Sequence, residues 1–251
     1  MSTPKQMSII EHLTELRTTL IWAFCLAAVA TIVAWFFSDQ VVDHLLRPAV
    51  NAGEQSLYFH APMEAFLLKL KVSVVMGIFL VLPLIMYRVY LFVMPGLYAS
   101  ERRIVTPMLW LATLLFYTGV GFCFFVLLPL VIRFALGFAT ESLQPLLGAG
   151  AYFGMVARLC LAFGLLFELP MVIFALSWVG VVSPRVLLKG WRYAFVIILV
   201  VSAVLTPPDI ISQVLLAGPV MCLYLLSCVI SIIVTRNRKR RQSEDPEGES
   251  N

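Results

Sequence analysis

The sequence Leu161-Ala-Phe-Gly-Leu-Leu-Phe-Glu168-Leu-Pro-Met-Val-Ile-Phe174 contains one charged residue, Glu168, within an otherwise uncharged run at 159–184. A run of this length can cross a bilayer as a helix, since about 20 apolar residues suffice. A charged side chain at bilayer depth costs at least about 2.5 kcal/mol on insertion scales, so such residues usually mark functional sites. Glu168 is therefore a candidate functional residue. The structural alternative is a protonated carboxyl group that is hydrogen-bonded within a helix bundle.

The whole chain has the composition of a membrane protein. Of its 251 residues, 61% are hydrophobic and 13% are charged, and its mean hydropathy is +0.95. A soluble domain of this composition would lack the polar residues needed to cover its surface. We therefore predict an all-α integral membrane protein with short connections and no sizeable soluble domain.

Hydropathy predicts six transmembrane helices. The fifth is short, because its apolar part at 193–205 would cover only about 20 Å at about 1.5 Å per residue. Two consecutive prolines, Pro207 and Pro208, stop the fifth helix, so it should form a tight hairpin with the sixth. The predicted spans are 20–37, 70–92, 107–132, 153–179, 191–205 and 211–234.

The distribution of Lys and Arg predicts the orientation, because cytoplasmic loops are enriched in these residues. With the N-terminus inside, 13 of the 18 Lys and Arg residues are cytoplasmic, and five lie outside or at the outer ends of spans. We therefore expect both termini to be cytoplasmic, with outer loops at 38–65 and 133–152. The 13 are Lys5, Arg17, Arg88, Arg102, Arg103, Arg185, Lys189, Arg192, Arg236, Arg238, Lys239, Arg240 and Arg241.

Two more carboxylates lie at the predicted cytoplasmic surface. Glu15 belongs to a segment that resembles an interfacial amphipathic helix leading into the first span, and Glu101 lies in the link between the second and third spans. Glu15 has no evident structural role, and its alternative interpretation is a solvated surface charge. For Glu101 the alternative is a local ion pair with Arg102 or Arg103, which contributes little at a surface.

Motifs of catalysis are absent from the sequence. It contains no P-loop, no GxSxG, no HExxH and no pair of intramembrane carboxylates, and its three histidines are far apart. The five cysteines lie in apolar runs without the spacing of a zinc or redox site. We expect no enzymatic activity, no cofactor and no metal. Nucleic-acid binding is not expected either, because membrane orientation accounts for the net charge of +4.

Four motifs, in this order, resemble those of the TatC family, the core membrane component of the twin-arginine protein translocase. The resemblance covers roughly residues 9–235. It implies a single TatC-like membrane domain at 1–235, followed by a tail at 236–251 that is basic, then acidic, and expected to be disordered. The motifs are His12-Leu-Thr-Glu-Leu-Arg17, Phe92-Val-Met-Pro-Gly-Leu-Tyr-Ala-Ser-Glu-Arg-Arg103, Phe163-Gly-Leu-Leu-Phe-Glu-Leu-Pro170 and Leu205-Thr-Pro-Pro-Asp-Ile-Ile-Ser-Gln213.

The resemblance implies a receptor for signal peptides that carry consecutive arginines, on folded cargo. A guanidinium group is a permanent cation with a planar fork of donors, and carboxylate is its best bidentate partner. Glu15 and Glu101 would receive the two arginines. Phe92 would offer an apolar or cation–π contact. Leu16 belongs to the same patch, and Arg17 would orient the carboxylates.

The resemblance also implies partners and a location. Single-span proteins similar to TatA and TatB would dock at Glu168, where a hydrogen bond in lipid contributes about 1–2 kcal/mol in model peptides. Asp209 and Gln213 resemble a second partner contact. We expect self-association, a bacterial plasma (inner) membrane location, and transport driven by the proton-motive force. The alternative function is a small proton- or cation-coupled secondary transporter, although the internal repeats frequent in that class are absent.

Overall fold

The computed structural model describes residues 9–51, 57–59, 61–93, 99–137, 148–206 and 210–244. These ranges are almost entirely helical, as predicted. Their one β-bridge joins Tyr58 to Gly148. The helices are α1 (Ile9–Phe36), α2 (Ser38–Asn51), α3 (Glu64–Val93), α4 (Ala99–Phe122), a π-helical turn (Cys123–Leu127), α5 (Leu128–Leu136), α6 (Ala149–Phe167), α7 (Leu169–Val179), α8 (Pro184–Leu205) and α9 (Ile210–Glu244).

Six helical stretches in these ranges are long and apolar enough to cross a membrane, which confirms the predicted number. Because six is even, α1 begins and α9 ends at the same end of the bundle. We call this the terminal end, and the opposite end the α2 end. The spans are Leu13–Phe36, Glu64–Arg88, Pro107–Leu136, Ala149–Trp178, Pro184–Leu205 and Ile210–Arg236.

Two spans are interrupted, and a proline follows each interruption. In the third span, the N–H of Leu128 bonds to the carbonyl of Cys123 in the π-helical turn, and Pro129 follows. In the fourth span, α6 ends at Phe167 and α7 begins two residues later, with Pro170 in its first turn. Proline has no N–H to donate and its ring crowds the preceding turn, which favours a break or kink at these two sites. Proline alone does not force a break, since α3 and α9 continue through Pro83 and Pro219.

The predicted outer loop at 38–65 is not a simple loop, because it contains α2 and the first residues of α3. The sequence carried a signal for α2: Val41, Val42, Leu45 and Leu46 recur at helical spacing, and all four pack against the core. The hydroxyl of Tyr152 donates to the carbonyl oxygen of Leu45 at 2.8 Å and fixes α2 against α6. The predicted second loop is also shorter than 133–152, since α5 ends at residue 136 and α6 begins at residue 149.

Polar contacts connect α3 to its neighbours at the α2 end. The backbone N–H of Gly150, in the first turn of α6, donates to Oε1 of Glu64 at 2.9 Å. Lys69 forms an ion pair with Asp39 of α2. These contacts hold α2, α3 and α6 together at one level of the bundle.

The fifth span is longer than the sequence indicated. Helix α8 has 22 residues and begins at Pro184, not near residue 191 as predicted. Its first turns carry Arg185, Lys189 and Arg192, which ended the apolar run without ending the helix. Its pairing with α9 agrees with the predicted hairpin, and Gln213 Nε2 donates to the carbonyl oxygen of Leu199 at 2.9 Å across it.

The helices pack mainly in pairs: α1 on α3, α4 on α6, and both α7 and α8 on α9. Glycine permits the closest approaches. A Cβ atom added at Gly77 would lie 2.7 Å from the backbone nitrogen of Thr31, and one at Gly119 would lie 2.6 Å from the carbonyl oxygen of Phe163. Small residues at helix crossings let backbones approach closely in lipid, where apolar burial drives little association.

Helix α9 continues beyond the membrane span to Glu244. The basic residues at 236–241 are therefore helical, in contrast to the disorder expected for the tail from 236. Lys and Arg have high helix propensity, and they extend a helix that is already nucleated. Residues 245–251, which hold most of the acidic segment, lie outside the described residues.

Candidate functional site

Two buried carboxyl oxygens have no hydrogen-bond partner within the described part of the chain. They are Oε2 of Glu15 and Oε1 of Glu168. Leaving a buried polar group unpaired costs about 1–3 kcal/mol, and more for a charged group. An oxygen of this kind calls for an explanation, such as an unoccupied binding role. Both residues are among the functional candidates that the sequence predicts.

Glu15 lies near the start of α1, at the terminal end. Helix α1 runs antiparallel to α3, and the contact between Gly77 and Thr31 sets their register. Closer to the terminal end, the guanidinium carbon of Arg88 lies 5.1 Å from the ring centroid of Trp22. The same register brings Glu15, two turns before Trp22, level with the last residues of α3.

Phe92 and Glu101 reach the same end of the bundle through their helices. Phe92 is the penultimate residue of α3, and Glu101 is the third residue of α4. The side chains of Leu16, Phe92 and Glu101 lie outside the described part of the structure. The predicted clasp of two carboxylates stays a prediction.

Arg17 is exposed on α1. Within the described residues it forms no ion pair with a carboxylate. Residues two apart on a helix do not face each other, so Arg17 and Glu15 point to different sides. The proposed orienting role of Arg17 therefore gains no support from the helix geometry.

Glu168 occupies the break between α6 and α7. Its side chain is 8% exposed, and its backbone N–H bonds to the carbonyl of Leu165 at 3.1 Å. Its own carbonyl accepts the N–H groups of Met171 and Val172, both at 2.9 Å. The backbone at the break is therefore well bonded, whereas one carboxyl oxygen is not. Ten residues, or about 15 Å of helix, separate Glu168 from Trp178 at the end of the span, so it lies deep in the membrane.

The predicted second partner contact does not adjoin Glu168. Gln213 lies in the first turn of α9, at the α2 end, and its amide is already bonded to α8. Nearby, Thr206 Oγ1 donates to the carbonyl oxygen of Ser202 at 2.8 Å, a local bond at the end of α8. Asp209 lies outside the described residues. Gln213 thus has a structural role that its sequence position did not reveal.

The described ranges hold no group of three or more His, Cys, Asp or Glu side chains that could bind a metal ion. Cys25, Cys123, Cys160, Cys222 and Cys228 are all free thiols. The chemistry available at Glu15 and Glu168 is therefore that of hydrogen bonding and ion pairing by single carboxyl groups.

Known proteins resemble this chain over most of its length. The family model described as Sec-independent protein translocase protein (TatC) matches residues 11–219. The Sec-independent protein translocase protein TatC of Koribacter versatilis (strain Ellin345) is 34% identical over 249 residues, which cover 96% of this chain and 92% of the relative. TatC of Escherichia coli (strain K12) is 35% identical over 253 residues, covering 100% of this chain and 98% of the relative.

A solved structure has the same fold. The crystal structure described as the twin arginine translocase receptor TatC matches with a TM-score of 0.82 and 33% identity, covering 90% of this chain and all of that chain. These matches give no support to a small secondary transporter, and they belong to a family of translocase subunits, not of enzymes. With six candidate spans and these matches, the chain is a multi-pass membrane protein and belongs to the TatC family of twin-arginine translocase subunits.

Proposed function

We propose that this chain is the receptor subunit that binds twin-arginine signal peptides of folded proteins and scaffolds their export. The observation that carries the proposal is the Glu15 carboxylate. It lies at the terminal end with Oε2 buried and unpaired among the described residues. A carboxylate that lacks internal donors is available to a donor on a ligand. The description of the similar crystal structure as a translocase receptor supports this function.

Arginine suits this site better than lysine. The guanidinium group offers parallel N–H donors to both carboxylate oxygens, whereas an ammonium group acts as a point charge. Glu15 would receive one arginine and Glu101 the other. Phe92, placed by α3 at the same level, would contact the peptide beside them. Leu16 would add apolar contact on α1.

The proposed orientation places the terminal end in the cytoplasm, where precursors are made. The Lys and Arg distribution supports it, because 13 of the 18 basic residues then lie on the cytoplasmic side. The basic helical extension of α9 would meet the anionic lipid headgroups of that leaflet. The membrane would be the bacterial plasma membrane, and the proton-motive force would drive transport through the assembled complex.

Glu168 would serve a different step from peptide recognition. A carboxyl oxygen that is buried and unpaired at membrane depth can accept a hydrogen bond from a polar group on another helix. We infer that single-span partners similar to TatA and TatB dock there. Asp209 and Gln213 would belong to a second partner contact at the α2 end, with Gln213 using the amide atoms that α8 leaves free.

Peptide binding by purified full-length chain in nanodiscs tests the receptor function. We expect Glu15→Ala to weaken binding of a twin-arginine peptide by about ten- to one-hundredfold, as for loss of a hydrogen bond to a charged group. Glu101→Ala should abolish photocrosslinking of the peptide. Asp43→Ala, which removes an exposed carboxylate at the α2 end, is the matched control and should bind normally. Unchanged affinity in the Glu15→Ala, Glu101→Ala double variant would refute the clasp.

The ligand can be varied as well as the receptor. A peptide with two lysines in place of the two arginines has the same charge but cannot form bidentate pairs. We expect the unmodified chain to bind the twin-lysine peptide more weakly than the twin-arginine peptide. The double variant should bind the twin-lysine peptide almost as weakly as the unmodified chain does. Equal affinity of both peptides for the unmodified chain would contradict recognition by paired carboxylates.

Partner docking at Glu168 is tested by co-purification with TatA-like and TatB-like proteins. We expect Glu168→Ala to reduce their recovery while leaving peptide affinity unchanged. Glu168→Gln should retain part of the recovery, because an amide oxygen still accepts a hydrogen bond. Recovery of partners at the unmodified level with Glu168→Ala would count against this role.

A further inference from the structure

A large cavity at the α2 end is not explained by peptide recognition or by partner docking. It has a volume of about 860 Å³ and lies between α2, α3, the end of α4 with the π-helical turn, and α6. Its walls are mainly apolar, including Val72, Phe79, Phe124, Phe153 and Cys160. Cavities of this size with apolar walls and a few polar groups are typical of small-molecule sites.

Two glycines on facing helices border this space. A Cβ atom added at Gly121 of α4 or at Gly154 of α6 would meet no other atom within 4 Å, and both residues line the cavity. Two residues before Gly121, Gly119 is in tight contact with α6. The two helices thus pack closely on the side of the cavity nearer the terminal end and leave the cavity open toward the α2 end. The cavity therefore adjoins two positions that lack side chains.

The cavity opens to the lipid. Leu70, Val74 and Phe125 line it and are 40%, 39% and 76% exposed, and all three lie within candidate membrane spans. An apolar cavity offers water few hydrogen-bond partners, so water does not fill it favourably. A hydrocarbon chain from the bilayer can enter without crossing a polar barrier.

The rim of the cavity at the α2 end is positively charged. Lys71 lines it together with His44 and Gln40, and the Nε of Arg158 donates to the carbonyl oxygen of the cavity residue Gly154 at 3.1 Å. Within the described residues, neither Lys71 nor Arg158 pairs with a carboxylate.

Three carboxylates of the described residues lie near this rim. Asp39 pairs with Lys69, and Asp43 is exposed on α2. Glu64 accepts the N–H of Gly150 and lines a neighbouring pocket with Lys71. The contact between Glu64 and Gly150 also sets depth, because α3 and α6 cross the membrane in the same direction. Lys71 and Arg158 follow it by seven and eight residues, so they lie at one level.

Lys71 lies seven residues inside the candidate span that begins at Glu64, and Arg158 lies nine residues inside the one that begins at Ala149. Long Lys and Arg side chains near span ends extend toward the membrane interface, which brings their charged groups to the α2 end of the cavity. That interface is the level of the lipid phosphate groups, and basic pockets between transmembrane helices bind anionic headgroups.

We propose that this cavity is a binding site for a phospholipid with a net negative headgroup, drawn from the leaflet at the α2 end. An acyl chain occupies the space between Gly121 and Gly154, and the phosphate interacts with Lys71 and Arg158. The bound lipid replaces side chains that the two glycines lack, and it completes the packing of α2, α3 and α6. The site is independent of the proposed receptor function.

Native mass spectrometry of the full chain, released from nanodiscs of equal phosphatidylglycerol and phosphatidylcholine, tests the proposal. We expect phosphatidylglycerol to be retained in preference to phosphatidylcholine. Lys71→Gln and Arg158→Gln should each reduce this preference about fivefold, the effect of one basic residue near an anionic surface. Lys71→Arg keeps the charge and should keep the preference. Equal retention of the two lipids by the unmodified chain would overturn the proposal.

Filling the cavity provides a second measurement that does not depend on charge. Gly121→Phe and Gly154→Phe place a ring in open space and should abolish lipid retention. Gly218→Phe is the matched control, since Gly218 is also a helical glycine with nothing within 4 Å of an added Cβ but does not line the cavity. Retention unchanged by both filling variants would overturn the proposal. A photoreactive probe at Ala157 should label lipid, and labelling of a signal peptide instead would assign the cavity to that ligand.

Discussion

Replacing Gly119 and Gly121 by alanine should change stability in opposite directions, although the two glycines lie two residues apart on α4. An added Cβ at Gly119 would lie 2.6 Å from the carbonyl oxygen of Phe163 and 2.7 Å from Cγ of Phe167, whereas ordinary contacts begin at 3.4 Å. The shortfall of 3.4 − 2.6 = 0.8 Å is against backbone, which cannot rotate away. Helices α4 and α6 must therefore separate.

The magnitude follows from two terms. Overpacking costs about 1–3 kcal/mol, and replacing glycine by alanine in a helix gains about 1 kcal/mol. We expect Gly121→Ala, which meets nothing within 4 Å, to show only the gain. Gly119→Ala should lose up to about 2 kcal/mol net. The helix term is common to both variants, so their difference, about 1–3 kcal/mol, measures the overpacking alone.

Reversible unfolding of the two variants in mixed micelles, followed by far-ultraviolet circular dichroism during a denaturing-detergent titration, gives both free energies of unfolding. The unmodified chain is the common reference. Equal stability of the two variants, or greater stability of Gly119→Ala, would refute the account of α4 packing on α6.

Three further predictions concern polar contacts. Tyr152→Phe should cost about 0.5–1.5 kcal/mol and increase hydrogen exchange in α2 more than in α9, because it removes the bond that fixes α2; equal exchange in both helices would contradict this. Ser177 and Ser231 share a buried hydrogen bond of 2.7 Å, so a double-mutant cycle to alanine should give a coupling of about 0.6–1.7 kcal/mol, and no coupling would mean that the bond adds nothing. Gln213→Leu should increase the mobility of spin labels at the α2 end of α8 relative to labels at its other end, and uniform mobility would count against its role in the hairpin.

The sequence was sufficient to predict the helical membrane fold and the six spans, because apolar runs of this length have few alternative structures. It also identified Glu15 and Glu168 as residues whose placement needed an explanation. The reason is chemical, because placing a carboxylate in an apolar or interfacial segment costs free energy. Such a residue can be recognised from the sequence alone. That both would retain an unpaired oxygen could be learned only from their surroundings.

Other features depended on contacts between distant parts of the chain. The start of α8 was misplaced because hydropathy detects apolar residues, whereas the helix continues through Arg185 and Lys189. The helix α2 was missed because its amphipathic face is short and is stabilised by Tyr152, more than 100 residues later in the chain. The cavity was not predictable, because nothing in the sequence distinguishes Gly121, facing open space, from Gly119, in tight contact.

The break at Glu168 divides the fourth span between two packing units. Helix α6 rests mainly on α4, and α7 rests mainly on α9, while α6 and α7 share little surface with each other. A displacement of α9 by a docking partner would therefore carry α7 with it and leave α6 in place, and the bend would be taken up at the hinge between them. The carboxyl group proposed to meet the partner lies on that hinge. Binding of a partner at Glu168 would then change the angle between α6 and α7. Because α7 extends to the terminal end, a contact in the middle of the membrane would alter the structure at that end.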